Sequence, residues 1–371
     1  MLRKIIVVFL AIILGIVALF LWATDYFQRN RNIPIVSDLK ENVEDTPRLT
    51  TIAEDLEVPW DLTFLPDKDI LVTERKGRIQ RVDINSGEKT LVATIEEVLQ
   101  NNESGLHGIE LHPDFEENNY VYLYYTYAQQ GGTTLNKVVR YTFENNSLTS
   151  PTSIIDKIPG AQIHDGGRIR FGPDNYLYVA TGDASEPSLA QNTDSLAGKI
   201  LRVKDNGDVV PTNPFNNQVY TYGHRNPQGL SWDKNNNLWS NEHGPTARDE
   251  LNLIKSGNNY GWPQVTGDAT HEGITGPIIQ SDTDTWAPSG NAYVNDSLFF
   301  VGLRSNTLFE AVLDGENVTE LKRHLQGEFG RLRGARVGPD GMLYITTSNR
   351  DGRGVPSRND DRIIRINPEK L

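Results

Sequence analysis

The chain has no cysteine, no surplus of positive charge and, apart from one segment near its start, no long apolar run. Without cysteine there is neither a disulfide framework nor a thiolate to act as nucleophile or metal ligand. Lys and Arg number 36 against 49 for Asp and Glu, a formal net charge of −13. Nucleic-acid binding needs a basic face to neutralise phosphates, so no nucleic-acid partner is expected. Also missing are a G-x-S-x-G nucleophile elbow, a P-loop and a glycine-rich dinucleotide fingerprint behind a strand, so neither a serine hydrolase nor an NAD enzyme is supported. No H-x-x-x-H or other metal-ligand spacing occurs among the seven histidines, which argues against zinc.

The exception comes first. Ile5 to Ala23 is a run of 19 residues without a charge, enough to cross a bilayer as a helix at 1.5 Å per residue. Arg3 and Lys4 precede it, and Trp22, Tyr26 and Phe27 follow as interface anchors. The exit shows no clear small-residue cleavage site, so residues 1–31 read as an uncleaved N-terminal transmembrane helix and membrane anchor, with the rest extracytoplasmic. Residues 32–47 carry two prolines and an excess of acids and read as a linker.

From residue 48 to 371 a pattern repeats: a short strand, a tight turn, then a second alternating strand. Six copies begin at Trp60, Gly108, Gly167, Gln228, Gly290 and Gly334, and their turns (Pro66, Pro113, Pro173, Asp233, Asn295, Pro339) are 47, 60, 60, 62 and 44 residues apart. Further strand candidates lie between copies: GRIQRVDI, KVVRYTF, GKILRVK and DELNLIK. Apolar residues alternate with period two and long helical periodicity is absent, as half-buried antiparallel strands require. A multi-strand repeat at this spacing predicts an all-β, six-bladed β-propeller, with RLTTIAEDL and RIIRINPEK closing one blade together.

Chemistry gathers in a few stretches. Between Tyr222 and Pro263, turn-forming Gly, Asn and Pro lie beside Asp249 and Glu250; carbonyls and carboxylates together suit calcium better than a transition metal, the alternative being a charged surface hairpin. His164, in QIHDGGRIRFGPD, is the candidate general base because histidine titrates near neutrality. Arg225, Arg304, Arg331 and Arg333 recur at loop positions after strands. Guanidinium forks suit a ligand's carboxylates, though surface ion pairs would use the same residues.

Taken together, GLHGIELHPDF, IHDGGRIRFGPDNYLYVATGD, GKILRV, YGHRNPQGL, EHGPTARDELNLI, GNNYGWP, WAPS and GRLRGARVGPDG resemble the soluble glucose dehydrogenase and aldose sugar dehydrogenase family, whose members are six-bladed propellers that use pyrroloquinoline quinone (PQQ) and calcium. The resemblance runs from about Val58 to Ile364. It implies that His164 takes the proton of the sugar's C1 hydroxyl while hydride passes to the quinone. By the same likeness Arg225 and Asn226 contact the quinone oxygens, with Arg225 stabilising charge during reduction. Arg304, Arg331 and Arg333 would pair with the cofactor's carboxylates, and Thr285 would touch it. The carbonyls of Gly244 and Pro245 would hold the calcium beside the cofactor. Glu250 and the Tyr260 carbonyl match ligands of a second, structural calcium, and Asp249 stands beside them as a further candidate metal residue.

There are departures. Glu103, in ESGLHG, stands where the glucose enzymes have glutamine near the cofactor, an unfavourable place for a carboxylate unless it is protonated, turned away or paired. The stretch from Trp262 to Trp286 is short, which points away from glucose specificity and toward broader aldose oxidation to lactones. The expected partners are an aldose and an external or respiratory electron acceptor. Two other readings remain: a non-catalytic cell-surface binding propeller of the same lineage, favoured by Glu103, and a calcium-dependent lactonase using metal-bound carboxylates.

Overall fold

The computed structural model describes residues 46–129 and 131–371, of which residues 47–371 form one compact unit. The predicted membrane anchor and nearly all of the linker lie outside the described residues. Among those described, no helix is long and apolar enough to cross a membrane.

Within this unit six antiparallel sheets of four strands follow one another along the chain. Blades 1 to 5 span residues 59–94, 106–159, 169–222, 227–280 and 288–324. Blade 6 takes its three inner strands from Leu332–Val337, Leu343–Thr347 and Ile363–Ile366, and its outermost from Leu49–Ala53, which pairs antiparallel with Ile363–Ile366. That pairing is the expected closure: it ties the two ends of the propeller together and removes an open edge. Each of the six sequence repeats supplies the two inner strands of one blade.

The second strand of blade 2, YVYLYYTYA over Tyr120–Ala128, shows why the alternation produces this fold. Period-two geometry sends Val121, Leu123 and Tyr125 to one face, where they pack with Leu71 and Ile79 of blade 1. Tyr122 and Tyr124 go to the other face, against Ile169, Leu177 and Val179 of blade 3. All five are fully buried, so every strand-to-strand turn of the pattern builds two cores at once. The apolar mass therefore lies between blades.

The axis is polar. Asp61 on the inner strand of blade 1 receives two hydrogen bonds from Arg170, at 2.8 and 3.0 Å, and an ion pair from Arg168. The Arg168 guanidinium also lies 4.3 Å over the Trp60 ring. Buried charges persist only when paired in this way.

Candidate active site

One end of the axis opens into a cavity of about 970 Å³ lined by the loops that lead into the innermost strands and by loops that join second and third strands. It brings together residues that are far apart in sequence: Glu103, His164, Arg225, Gly244, Pro245, Asp249, Thr285, Arg304, Arg331 and Arg333 all contribute to its wall. Asn226 does not face the cavity; its side-chain oxygen accepts a 3.0 Å bond from the Gly166 N–H, which ties blade 4 to the loop carrying His164. Its Nδ2 is buried with no partner among the described residues. Glu250 and Tyr260 line a second, much smaller void behind Gly244 and Pro245.

His164 sits in a left-handed backbone conformation, φ +64°, uncommon for a residue with a Cβ and typical of strain kept at functional sites. The loop after the second strand of blade 3 holds it there. Ala184 N–H donates to the His164 carbonyl at 3.2 Å, and the two backbones approach so closely at Gly182 that a Cβ would fall 1.8 Å from that carbonyl. His164 Nδ1 lies 2.8 Å from an oxygen of the fully buried Asp183, whose other oxygen accepts the Trp262 indole N–H at 2.8 Å. A carboxylate only accepts, so Nδ1 carries the proton and Nε2 is left as the acceptor. That is the tautomer a general base needs.

Arginine dominates the rest of the wall: five line the cavity against two carboxylates. Arg225 is seated under Glu242, which accepts its backbone N–H at 2.8 Å, and over the Trp262 ring at 5.3 Å. Its Nε is buried without a partner, and burial pushes its pKa down. Arg304 is exposed and has no ion-pair partner among the described residues. Arg331 holds Asp351 through Nε and Nη2, at 2.9 and 2.8 Å, and Arg333 approaches the same oxygen at 3.4 Å. Burial brings Arg333 down to about 10, so it stays charged at neutral pH.

Glu103 is paired. Arg353, from the loop between the last two strands of blade 6, bonds one carboxylate oxygen, and the His164 N–H donates to the other at 3.3 Å. Burial pushes its pKa up, but the charges of Arg353 and His243 outweigh that, and the group is held below the ordinary carboxylate value. The awkward carboxylate is thus ionised and compensated from another blade.

The expected metal residues divide. The carbonyls of Gly244, Pro245 and Tyr260 accept no hydrogen bond among the described residues. Asp249 is different: one oxygen accepts the Gly244 N–H at 2.9 Å, the other those of Trp286 and Ala287 at 2.6 and 2.8 Å. Both oxygens brace the loop. Glu250 accepts from Gly267 and Asn252, and burial, with Glu242 close by, pushes its pKa up to about 8. Thr285 spends its hydroxyl on the Thr246 carbonyl at 2.9 Å.

Sequence reading missed Asp183, Trp262, His243, Arg353 and Asp351. Asp183 closes the TGD turn and Trp262 lies in GNNYGWP, both inside the motifs quoted above, but nothing local says that they meet.

The glucose/sorbosone dehydrogenase family model matches residues 56–363. The aldose sugar dehydrogenase YliI of Escherichia coli is 30% identical over 339 residues, covering 83% of this chain and 91% of that protein. The PQQ-bound aldose sugar dehydrogenase of Streptomyces coelicolor superposes with a TM-score of 0.82 at 40% identity, covering 86% of this chain and 98% of that one. A putative oxidoreductase (glucose dehydrogenase) of Thermus thermophilus gives a TM-score of 0.82 at 43% identity, covering 86% and 99%. With the family match running across all six blades and through every wall of the cavity, the chain belongs to the glucose/sorbosone dehydrogenase family.

Proposed function

We propose that this protein is a PQQ-dependent aldose dehydrogenase that oxidises the C1 hydroxyl of its sugar to a lactone. The observation that carries the reading is the juxtaposition of a base with a free Nε2, His164 on Asp183, and an arginine-rich wall in one cavity. The residues fit the cofactor. A tricarboxylate needs cations, and the cavity offers exposed Arg304 together with Arg331 and Arg333, which Asp351 holds in place while leaving further N–H groups to donate. Arg225, with its unpartnered Nε, faces the same space and would contact the quinone edge; Asn226 supports that contact from behind. The unengaged carbonyls of Gly244 and Pro245 are hard oxygen donors suited to calcium, and Glu250 with the Tyr260 carbonyl suits a second, structural calcium. When bound, the quinone supplies the two-electron acceptor for the C1 hydride.

The chain's own part is proton and position. Asp183 fixes the imidazole through Nδ1, so Nε2 removes the hydroxyl proton as the C1–H bond breaks. Arg225, partly buried and cationic, stabilises negative charge developing beside it. The electrons then leave to an external or respiratory acceptor. The uncharged run Ile5–Ala23 supports a single-pass anchor with the propeller on the extracytoplasmic side of the membrane.

The feature that favoured a non-catalytic propeller, a carboxylate facing the cofactor, is answered by Arg353. A lactonase built on metal-bound carboxylates has no matching site, because among the described residues no three His, Asp or Glu side chains converge on a metal position. The test is titration of the purified protein with PQQ and calcium. An absorbance change, a thermal shift and aldose-dependent dye reduction are expected; no cofactor binding overturns the enzyme reading.

A further inference from the structure

Behind the active site lies a buried charge that the proposed chemistry does not use. Lys199 opens the third strand of blade 3 and is wholly inaccessible to solvent. Among the described residues its ammonium has no carboxylate beside it. Instead its three N–H donors meet three backbone carbonyls: Leu189 at 2.8 Å, Ala190 at 3.0 Å and Ala197 at 2.5 Å. Converging carbonyl oxygens in a dry site are the ligand set proteins use to hold a metal cation. Here the chain supplies the cation itself. Burial pushes the lysine down to about 7, and no neighbouring charge opposes that shift; the carbonyls favour its charged form.

The lysine is fixed from behind. Its backbone N–H donates to the Thr181 hydroxyl at 3.1 Å, and that hydroxyl donates to the Leu196 carbonyl at 2.6 Å. The carbonyls it gathers belong to the 182–198 loop, whose ends are clamped by the Gly198 N–H on the Gly182 carbonyl at 2.7 Å. Asp183 is the second residue of that loop. The gathered turn, Pro187–Gln191, also touches the other side of the site. The Ala190 carbonyl accepts the Gly223 N–H at 2.9 Å, and Gln191 Nε2 donates to the Trp262 carbonyl at 2.6 Å. Trp262 in turn holds Asp183, and Asp183 holds His164.

We propose that Lys199 is a positioning residue, a built-in cation whose ammonium gathers the 182–198 loop and thereby keeps Asp183 and Trp262 aligned on His164. Its consequence for turnover rests on the function proposed above; its consequence for geometry does not. Lys199→Met keeps the chain length and removes the charge. The Ala197 carbonyl then has no donor, those of Leu189 and Ala190 keep only the Asn192 and Gly223 N–H groups, the turn moves to find water, and the Trp262–Asp183–His164 register loosens.

Two readouts separate the claims. In proton spectra of the full-length protein, assigned with His164→Ala, the hydrogen-bonded Nδ1–H resonance of His164 is expected to vanish or broaden in Lys199→Met. With cofactor and aldose, kcat is expected to fall about 100-fold while KM and cofactor affinity stay within about threefold. In Lys199→Ala, which opens room at the carbonyls, added methylammonium is expected to restore the resonance and at least about tenfold of the lost kcat, as no general folding defect would. An unchanged resonance and a kcat within about threefold of the parent overturn the proposal. If neither lysine variant folds, Gln191→Ala tests the same route: loss or broadening of the His164 resonance supports it, and an unchanged resonance overturns it. Were the parent to bind no PQQ, the function reading would fail while the resonance still decided the role of Lys199.

Discussion

Asp183→Asn is the sharpest probe of the active-site reading, because one atom changes and the structure says what must follow. Asp183 has no solvent to turn to and receives three N–H groups: His164 Nδ1 and the Ser185 backbone on one oxygen, and the Trp262 indole on the other. An asparagine has one acceptor oxygen. If its NH₂ replaces the oxygen facing Trp262, two donors collide in a dry site and cost about 1–3 kcal/mol. If it replaces the oxygen facing His164, Nδ1 must become the acceptor, the proton moves to Nε2, and the base can no longer take a proton. The first placement loosens Trp262 beneath Arg225; the second disables the base outright. A triad-type aspartate lost to asparagine costs up to about 10⁴-fold, so a kcat lowered by about 10²- to 10⁴-fold is expected, roughly 3–5 kcal/mol of barrier. The assay is dye-coupled aldose oxidation at saturating sugar with PQQ and calcium, beside a cofactor titration by absorbance. Cofactor affinity should change less than about tenfold, because Asp183 lies behind the imidazole. A kcat within about threefold of the parent at unchanged cofactor affinity would falsify the assignment of His164 and Asp183 as base and orienter.

Other expectations are as direct. Burial holds Asp165 up at about 6 against an ordinary 3.8, so between those pH values the folded chain keeps a proton that the unfolded chain has lost. Stability should therefore fall as pH rises from about 4 to 6 and stay lower above, by at most about 3 kcal/mol; urea melts of Asp165→Asn should lack that slope, and an identical slope in both proteins would refute the cause. Arg353→Ala leaves Glu103 ionised and uncompensated beside an anionic ligand; PQQ affinity should drop about tenfold, and Glu103→Gln in the same chain should restore most of it. Independent, additive effects would show that the pair does not couple. Leu123→Ala empties a fully buried position between blades 1 and 2 and should cost about 2–5 kcal/mol in a denaturant melt with little change in cofactor affinity.

Much of the fold was legible in the chain because a propeller blade is a local object. The repeats from Trp60, Gly108, Gly167, Gln228, Gly290 and Gly334 name the two inner strands of each blade, and period-two alternation tells which side chains go between blades. The closing pair was legible too, since Leu49–Ala53 and Ile363–Ile366 are the strands left over at the two ends. His164, Arg225 and Arg331 could be picked out because each sits on a loop that leads into an innermost strand, with Arg304 on a loop between second and third strands and Arg333 at the start of a strand, and the cavity gathers those positions.

What no local pattern could supply is which loop meets which. Asp183 is 19 residues from His164 and Trp262 is 79 from Asp183, separations that say nothing of a 2.8 Å contact. Glu103 looked like a flaw until blade 6 delivered Arg353 from 250 residues away. Asp249 gave no local sign that its second oxygen would accept the Trp286 and Ala287 N–H groups from the next blade's entry loop. The sequence by itself determined the strands, their faces, the blade count and the chemical types around the axis, because these follow from periodicity and from residue chemistry. Tertiary structure alone decided the pairing of charges and the tautomer of His164. Those depend on side chains from different blades converging in a space with little water, where each carboxylate must find its donors.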